Sequence, residues 1–310
     1  MCLNRKLKKV LSNPGIILDN IFMKLPTKWI NDEYYIRIRY KLRMNKSLNL
    51  YKPVTFNEKL QWLKLYDRNT SYTKMVDKYE VRKYIAEQIG EEYLIPLIGV
   101  YENFDEINFD KLPDQFVLKC THDSGGVVIC KDKNKLDKVA AREKINKSLR
   151  RNYYNLWREW PYKNIKPKII CEKYMIDESS NDLKDYKFMC FNGQVKLLFV
   201  CVDRNDNLGL KINFYDNDWN LLDLKKKDVP NTDKQIEKPK MFKQMINLAE
   251  RLSKGIPFIR VDFYEVNGRL YFGELTFYPD AGMMFLEPHT VDSLLGSWID
   301  LSENKLLDKN

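Results

Sequence analysis

The chain has 310 residues, of which 44% are hydrophobic and 31% are charged, as in an ordinary soluble globular protein. This length exceeds what one hydrophobic core usually serves, so we expect two or three subdomains. The net charge of +10 suits an anionic partner. An Arg-rich helix, a zinc-finger spacing and an aromatic RNA-binding signature are all missing, so we expect no nucleic acid partner. No apolar run approaches the ~18 residues that span a bilayer.

The six cysteines include no C-x-x-C pair, and five of them lie in apolar, strand-like runs. A cysteine in such a run behaves as a small core hydrophobe. We therefore expect reduced thiols and a cytoplasmic protein. The two histidines, His122 and His289, are far apart in the sequence and suggest no metal cluster.

The first quarter of the chain has the pattern of helices. Its basic start is followed by PGIILDNIFMKL and by no apolar signal-peptide stretch. We interpret this segment as an amphipathic helix packed on the domain, with peripheral contact to a membrane surface as the alternative. TFNEKLQWLKLY begins with Thr55 and places Glu58 three residues later, which predicts a capping box. DKYEVRKYIAEQIG predicts a helix that stops at Gly90.

From residue 115 the pattern changes to short apolar runs, which predict strands. QFVLKC, THDSGG and VVIC indicate a strand, a glycine-containing loop and a second strand, and a helix and the strand KPKIICEKYM follow. DYKFMCFNGQVKLLFVCVDR surrounds Asn192-Gly193 with two strand-like runs, which is a strong hairpin signal. LKINFYD, a helix capped by Gly255, a second hairpin and a C-terminal helix complete the order. Because hairpins dominate, we predict an α+β fold with mostly antiparallel sheets.

The second hairpin, FIRVDFYEVNGRLYFGELTFYP, carries three charges inside its apolar runs: Arg260, Asp262 and Glu274. Burying a charge is costly unless it is paired or binds a metal. Residues alternate between the faces of a strand, and here the odd positions are apolar whereas the even ones are polar. The charges therefore share one face if the two strands agree in register.

Two registers are possible for this hairpin. A two-residue Asn-Gly turn pairs Val266 with Arg269 and sets odd positions opposite even ones. A three-residue Val-Asn-Gly loop, with Gly268 left-handed in a G1 bulge, pairs Glu265 with Arg269 and sets even opposite even. We predict the three-residue loop, because the apolar pattern demands that Asp262 and the second carboxylate share a face.

Two adjacent carboxylates repel each other, which raises a pKa or recruits a cation. Oxygen ligands with open positions suit Mg²⁺, and the alternative is an exposed face with ordinary ion pairs. Further charges, Lys119, Glu172 and Lys187, occur singly in other apolar strands. THDSGG offers consecutive N–H groups that could cradle a phosphate, although it lacks the Walker A spacing.

This ordered set resembles the ATP-grasp superfamily, in which two α+β subdomains hold ATP between antiparallel sheets. The resemblance rests on DK at 77–78, FVLK with THDSGG, IICEKYM, DYKF, RVDF and GELT. Within the superfamily the chain is most similar to the teichuronopeptide-biosynthesis (TupA-like) branch, through PVTFNEKLQWLKLYD, DKYEVRKYI, DYKFMCFNGQV and GELTFYPDAGM. The resemblance implies a helical region over residues 1–75 and subdomains over 76–176 and 177–310. The first subdomain would carry the glycine loop and the adenine strand, and the second the metal hairpin and the C-terminal helix.

The resemblance also implies roles for individual residues. Mg²⁺ would be held by Asp262, Glu274 and Thr276, and many superfamily members have Asn at the last of these positions. Arg260 and Lys187 would be catalytic, stabilising the oxyanion and reaching the terminal phosphates. ATP would be contacted by Lys78, Lys119, His122, Ser124, Gly125, Gly126, Glu172, Lys173, Tyr174, Asp177 and Glu178. Within this set, His122 would either contact phosphate or cap the loop. Either Asp177 or Glu178 would bind the ribose, and the choice between them stays open.

The implied reaction is ATP-dependent amide formation through an acylphosphate. The TupA-like branch is associated with cell-surface polysaccharides such as capsule, O-antigen or teichuronic-type polymers. The expected substrates are therefore an amino acid or amine donor and an acidic or amino-sugar saccharide acceptor. One alternative is a glycosyltransferase, for which Asp216-Asn217-Asp218 is a literal Asp-x-Asp motif in a turn-like context. The other is a non-catalytic nucleotide-binding protein, against which the charged hairpin argues.

Overall fold

A computed structural model describes residues 14–178, 183–203 and 209–302 of the chain. The predicted basic start, residues 1–10, lies outside this part. Five described helices precede the first strand: α1 (Pro14–Phe22), α2 (Asp32–Met44), α3 (Phe56–Tyr66), α4 (Ser71–Val76) and α5 (Val81–Gln88). The predicted capping box is confirmed at α3, where the Glu58 N–H donates to Thr55 Oγ1 at 3.2 Å and the Thr55 N–H donates to Glu58 Oε2 at 3.0 Å.

A four-stranded antiparallel sheet follows, with strand order β1-β4-β2-β3. Its strands are β1 (Leu97–Tyr101), β2 (Phe116–Cys120), β3 (Val127–Cys130) and β4 (Ile169–Lys173). Between β3 and β4 the chain forms α6 (Lys138–Leu149) and the short α7 (Tyr153–Trp157). Alternate residues of β2, Phe116 and Leu118, are fully buried in a core shared with Ile145 of α6, so the other face of β2 is free to carry Lys119.

A six-stranded antiparallel sheet forms the larger half, in the order β11-β10-β5-β6-β7-β8. Its strands are β5 (Asp185–Phe191), β6 (Gln194–Val202), β7 (Lys211–Tyr215), β8 (Leu221–Leu222), β10 (Phe258–Val266) and β11 (Arg269–Thr276). The helix α8 (Phe242–Ser253) packs on this sheet. A small two-stranded sheet, β9 (Lys225–Lys226) with β12 (Leu286–Glu287), and α9 (Thr290–Ser297) complete the described fold.

The helices α3 to α5 share the core of the large sheet. Phe56 of α3 packs edge-on against Phe258 of β10, with ring centroids 4.8 Å apart, and Phe258 in turn packs on Phe191 at 5.0 Å. Apolar burial on this scale is the main stabilising term of such a core. The β10–β11 hairpin is therefore held against the N-terminal helices through its apolar face.

The α+β prediction is confirmed, because every strand pair in the described residues is antiparallel. The predicted Asn192-Gly193 hairpin joins β5 to β6 with a two-residue turn, since Phe191 pairs with Gln194. The five described cysteines are buried free thiols, as expected; Cys2 lies outside the described residues. None of the described helices combines the length and apolar character that a bilayer crossing requires.

Candidate active site

The hairpin β10–β11 places its two carboxylates side by side, but the backbone irregularity that achieves this is not in the predicted position. Val266 pairs with Arg269, so the turn contains only two residues, Asn267 and Gly268, both left-handed with φ of 50° and 73°. The predicted three-residue loop with a G1 bulge is therefore wrong. The Asn-Gly dipeptide prevails because it suits a tight turn whose two central residues are left-handed.

The bulge lies instead at Gly273, in the middle of β11. Phe263 pairs with Phe272 whereas Asp262 pairs with Glu274, so one residue is left over between the two pairs. A Cβ atom at Gly273 would lie 3.1 Å from the Asp262 carbonyl oxygen and 3.0 Å from the Tyr264 ring, which leaves little room for a side chain. The extra residue restores the alternation, so the predicted shared face is confirmed.

A ladder of charges crosses three strands on this face. Asp262 lies opposite Lys187 of β5 in register, and the Lys187 ammonium contacts Asp262 Oδ2 directly. Arg260 donates from Nε to Asp262 Oδ1 at 2.7 Å, and from Nη2 to Asp262 Oδ2 at 2.8 Å and Glu274 Oε1 at 2.5 Å. Lys187 also lies 2.7 Å from Asp185 Oδ2. Burial alone would lower the pKa of Lys187, but Asp185 and Asp262 outweigh it and raise that pKa.

The two carboxylates have different environments. Asp262 is fully buried, and burial raises its pKa to about 6 even though Arg260 and Lys187 act in the opposite direction. Glu274 is half exposed. Partial burial acts to raise its pKa, but Arg260, Lys187 and Lys78 outweigh that effect and lower it to about 2. The two carboxylates thus share the guanidinium of Arg260, and Lys187 contacts the buried one.

The small sheet contributes a second polar face. The Lys119 ammonium lies 2.7 Å from Glu172 Oε2, and Arg82 of α5 donates to Glu172 Oε1 at 3.3 Å. Val117 pairs with Glu172, so Lys119 and Glu172 are diagonal neighbours on the same face of β2 and β4. Glu172 is buried, and its charge is balanced by the two cations.

The predicted glycine loop, THDSGG, is tied to the end of α6. His122 is buried, and its Nε2 lies 3.2 Å from the Ser148 carbonyl oxygen and 3.1 Å from that of Arg151. The imidazole thus anchors the loop, and burial lowers its pKa. Gly126 must be small, because a Cβ atom there would lie 2.1 Å from Ser148 Oγ. Ser124 is exposed, and its carbonyl oxygen accepts a hydrogen bond from Arg151 at 3.4 Å.

Lys78 is held by two hydrogen bonds to the backbone of the glycine loop. Its N–H donates to the Thr121 carbonyl oxygen at 3.1 Å and its ammonium to that of Asp123 at 2.5 Å. Burial lowers the pKa of Lys78, and the charge of Glu274 acts in the opposite direction. Lys78 therefore brings one positive charge to the space between the two polar faces.

Two tyrosines that the sequence analysis did not identify pack against each other in the segment after α6. Tyr153 and Tyr162 follow α6, with ring centroids 4.7 Å apart. Burial raises the pKa of both phenols, and the charge of Glu274 acts in the same direction on each. The aromatic density of NYYNLWREWPY was the available signal, but such runs are more often core than site.

The remaining predicted residues lie at several different places in the fold. Thr276 pairs with Arg260 and shares a face with Glu274, two residues away on β11. The Glu178 N–H donates to Asn267 Oδ1 at 2.9 Å, so the predicted ribose segment rests on the turn of the metal hairpin. Burial raises the pKa of Tyr186, and the charges of Glu265 and then of Asp177 act in the same direction. Lys173 and Tyr174 line a separate cavity of about 820 Å³, and Gly125 has a left-handed φ of 103°.

A strained loop directly follows the metal hairpin. Asp280, Ala281 and Gly282 are consecutive left-handed residues, with φ of 51°, 57° and 65°. For the first two this conformation costs free energy, and strain of this kind persists only where surrounding contacts hold it. Lys226 contributes by contacting the Asp280 carboxylate at 2.8 Å.

Polar side chains of α3 supply the other contacts to this loop. Gln61 Nε2 and Lys64 Nζ donate to the Ala281 carbonyl oxygen at 3.0 and 2.6 Å. Asn57 exchanges two hydrogen bonds with the backbone of Met284, at 2.9 and 2.7 Å. These three buried side chains recur at spacings of four and three residues, which places them on one face of the helix. The spacing of these three residues is visible in the sequence. Because they are polar, however, the sequence does not indicate that this face of the helix is buried.

Lys64 also belongs to a buried ionisable pair. Burial lowers its pKa to about 7, and burial raises the pKa of Glu159 to about 7. The charge of each acts against the effect of burial on the other. The loop after the metal hairpin therefore rests on a group that titrates near neutral pH.

Comparison with protein families shows which family the chain belongs to. A model described as TupA-like ATPgrasp matches residues 58–300. The chain belongs to the TupA-like ATP-grasp family. The predicted family and the predicted ATP-grasp enzyme class are thereby confirmed. A search of curated proteins found no match to this TupA-like protein.

Solved structures with distant similarity to this TupA-like protein include two D-alanine–D-alanine ligases. The ligase from Helicobacter pylori is 14% identical, over 79% of this chain and 69% of that one, with a TM-score of 0.42. The ligase from Bacillus anthracis is 18% identical, over the same shares, with a TM-score of 0.40. N5-carboxyaminoimidazole synthetase from Staphylococcus aureus is 13% identical, over 66% and 44%, with a TM-score of 0.37.

The carboxylate pair of this TupA-like protein fits Mg²⁺. Asp262 and Glu274 offer only hard oxygen donors, and no group of three or more His, Cys, Asp or Glu side chains within 14–178, 183–203 and 209–302 could hold a metal ion without other ligands. Mg²⁺ is commonly held by one or two carboxylates together with substrate phosphates, rather than by an all-protein cage. The two residues, with Thr276 beside them, therefore suit a metal ion whose remaining coordination positions are filled by phosphate oxygens of the nucleotide.

The Asp-x-Asp motif of the rival glycosyltransferase interpretation is a structural turn. Asp216 Oδ1 accepts the N–H groups of Asp218 and Asn220 at 2.9 and 2.8 Å, and Oδ2 accepts the Asn220 amide at 2.8 Å. Both oxygens of this carboxylate are thus used by the turn between β7 and β8. The motif matches the turn expected from its sequence context.

Proposed function

We propose that this protein is an ATP-dependent ligase that joins an amino acid or another amine to a carboxylate of a cell-surface polysaccharide or its precursor. The observation that carries the proposal is the convergence of Arg260, Lys187 and Lys78 on the Asp262–Glu274 pair. Such a cluster suits the transfer of a phosphoryl group, whose charge must be neutralised. We place the reaction in the cytoplasm, where ATP is available.

Two steps make up the proposed reaction. ATP supplies the phosphoryl group. A carboxylate oxygen of the substrate attacks the γ-phosphorus, the bond to the leaving ADP breaks, and an acylphosphate forms. The amine nitrogen then attacks the acyl carbon, phosphate leaves with its bonding electrons, and the nitrogen loses a proton to give an amide.

The residues divide this work between the two sheets. Asp262 and Glu274 would hold Mg²⁺, and Arg260, which already donates to both carboxylates, would stabilise charge on the transferring group. Lys119 and Lys78 would contact phosphates from the opposite side. These roles follow the family pattern, and the charge, burial and positions of the side chains support them.

The saccharide would bind in a polar cavity of about 860 Å³, which lies between the N-terminal helices and residues 152–164. Tyr153 and Tyr162 belong to the same segment of the chain. In the described part of the chain, the side-chain amides of Asn155 and Asn164 have no hydrogen-bond partner and line this cavity together with Lys163. Amides and a cation at the wall of a pocket suit the hydroxyl and carboxylate groups of a uronic acid.

A screen of ADP release tests the proposal. The protein with MgATP is offered amino acids in combination with uronic acids and their nucleotide sugars. We expect release only when both a carboxylate and an amine are present. Tight ATP binding with no turnover for any pair, or turnover of a nucleotide sugar without ATP, would contradict the ligase proposal.

A further inference from the structure

The outer surface of α1 is apolar where a solvent-facing helix is normally polar. Leu18, Ile21 and Leu25 are 54, 53 and 53% exposed, and Ile17 is 38% exposed. Ile17, Leu18 and Ile21 lie on α1 at helical spacing, and Leu25 lies in the bend that follows the end of the helix at Phe22. We term these four residues the α1 face. Single exposed apolar residues are common, but several large ones on one helix face are not.

The most buried residue of α1 is polar, and the helix also packs Phe22 against Tyr35 of α2, with ring centroids 5.3 Å apart. Asp19 is 1% exposed, and Arg39 of α2 donates to both of its oxygens, at 2.6 and 2.8 Å. Breaking a buried ion pair costs several kcal/mol, so α1 cannot rotate to cover its apolar side. α1 therefore packs on α2, as expected of a helix packed on the domain, but Ile17, Leu18 and Ile21 stay exposed.

Basic residues accompany the α1 face. Lys24 and Lys28 are exposed beside it, and Trp29 is 81% exposed at the end of the same segment. In the sequence, residues 1–13 add four basic residues and no acidic one. Apolar residues with an exposed tryptophan and flanking lysines are the composition of a segment that lies in the interface of an anionic membrane.

We propose that the α1 face docks this protein on an anionic phospholipid surface. The helix is too short to cross a bilayer, so it would lie in the plane of the headgroups. A second copy of the chain is the poorer occupant, because each copy carries a net charge of +10 and the two would repel each other. Charge complementarity therefore selects the membrane.

The proposed docking has a consequence for the position of the polar cavity. Lys28 and Trp29 border the α1 face and also line the cavity of about 860 Å³. A protein docked through α1 would hold that opening close to the membrane surface, where a lipid-linked acceptor would present its headgroup. The docking itself rests on the α1 face alone and does not depend on the proposed ligase activity.

Vesicle co-sedimentation of the full chain tests the proposal. Vesicles of phosphatidylcholine alone are compared with vesicles containing about one third phosphatidylglycerol. We expect at least roughly tenfold stronger binding to the anionic vesicles, weakened by added salt. The variant Ile21→Ser/Leu25→Ser should lose roughly tenfold in binding while its urea midpoint stays close to that of the wild type. The matched control Leu221→Ser/Leu294→Ser, at residues 62 and 51% exposed elsewhere, should bind as the wild type does.

Three outcomes would overturn the docking proposal. One is that the wild type binds neither kind of vesicle. The second is that the Ile21→Ser/Leu25→Ser variant binds as strongly as its control. The third is a wild-type dimer, seen by light scattering, that this variant dissolves, because the face would then be an interface between copies. ADP release in solution should be unaffected by these substitutions, so failure here is separable from failure of the ligase proposal.

Discussion

Asp262 and Glu274 face each other across β10 and β11, and a single guanidinium, that of Arg260, donates to both carboxylates. This relationship exists because β11 contains one extra residue that has no partner in β10. The pairing of the two strands is regular on both sides of it. Without the extra residue at Gly273, a two-residue turn would place the two carboxylates on opposite faces. The site therefore depends on a backbone irregularity as much as on its charged side chains.

Replacement of Gly273 should damage the site with little effect on the rest of the fold. In Gly273→Val the side chain would meet the Asp262 carbonyl oxygen and the Tyr264 ring, so β11 must shift relative to β10. We expect a loss of about 1–3 kcal/mol in unfolding free energy, together with a raised Mg²⁺ requirement for ADP release. Urea unfolding and a Mg²⁺ titration measure both. A variant with unchanged Mg²⁺ dependence would show that the bulge does not position the pair.

The two cations on Glu172 should contribute unequally to nucleotide binding. Lys119 lies in a strand beside the glycine loop, whereas Arg82 approaches Glu172 from α5. We expect Lys119→Met to weaken ATP binding by roughly tenfold or more, because a charge-assisted contact to phosphate is lost. Arg82→Met is the matched control and should weaken it less. Calorimetric ATP titration checks the order, and equal losses would argue against the phosphate role of Lys119.

The α3 side chains should stabilise the strained loop after the hairpin. Gln61→Leu removes the amide that donates to Ala281 and Gly282. The Ala281 carbonyl oxygen keeps Lys64 as a donor, whereas that of Gly282 loses its Gln61 donor. We expect a loss of about 1–3 kcal/mol in unfolding free energy. Hydrogen exchange should show faster opening of residues 280–284 in this variant. Unchanged exchange in this loop would contradict the role given to α3.

The Lys64–Glu159 pair should give stability a minimum near neutral pH. Burial raises the folded pKa of Glu159 from 4.5 to about 7, so the folded state binds more protons and stability falls as pH rises through this window. Burial lowers the folded pKa of Lys64 from 10.5 to about 7, so the unfolded state binds more protons there and stability rises again above pH 7.

Substitution separates the two arms of this pH dependence. Glu159→Gln should remove the fall on the acid side, and Lys64→Met should remove the rise on the alkaline side. The urea midpoint measured across this pH range checks both variants. A Glu159→Gln protein that keeps the acid-side slope would assign it to another carboxylate.

Much of the fold followed from patterns that act locally. Thr55 with Glu58 predicted the start of α3, and Asn192-Gly193 predicted a turn, because capping and turn preferences need only a few neighbouring residues. The bulge was harder to place. The apolar pattern required one extra residue in the hairpin, and the Asn-Gly turn concealed that Gly273 provides it.

The charged residues in the strands of the candidate site could be predicted from the sequence. The contacts between residues far apart in the sequence could not. Asp262, Glu172 and Lys187 drew attention because a charge in an apolar strand is costly. The polar residues of α3, by contrast, bind backbone atoms more than 200 positions away, which no local pattern reveals. His122 was ambiguous for the same reason, since its partners are carbonyl oxygens at the end of α6.

The most direct test of the central claim is ADP release by Glu274→Gln under saturating MgATP and substrates. Glu274 is half exposed, so this substitution should leave the fold intact. We predict a turnover about 10²–10³-fold below that of the wild type, since a ligand and a charge are lost where the phosphoryl group transfers. Asp216→Asn, in the Asp-x-Asp turn, is the control and should keep its turnover. Full turnover in Glu274→Gln would contradict the assignment of the β10–β11 face as the metal-nucleotide site.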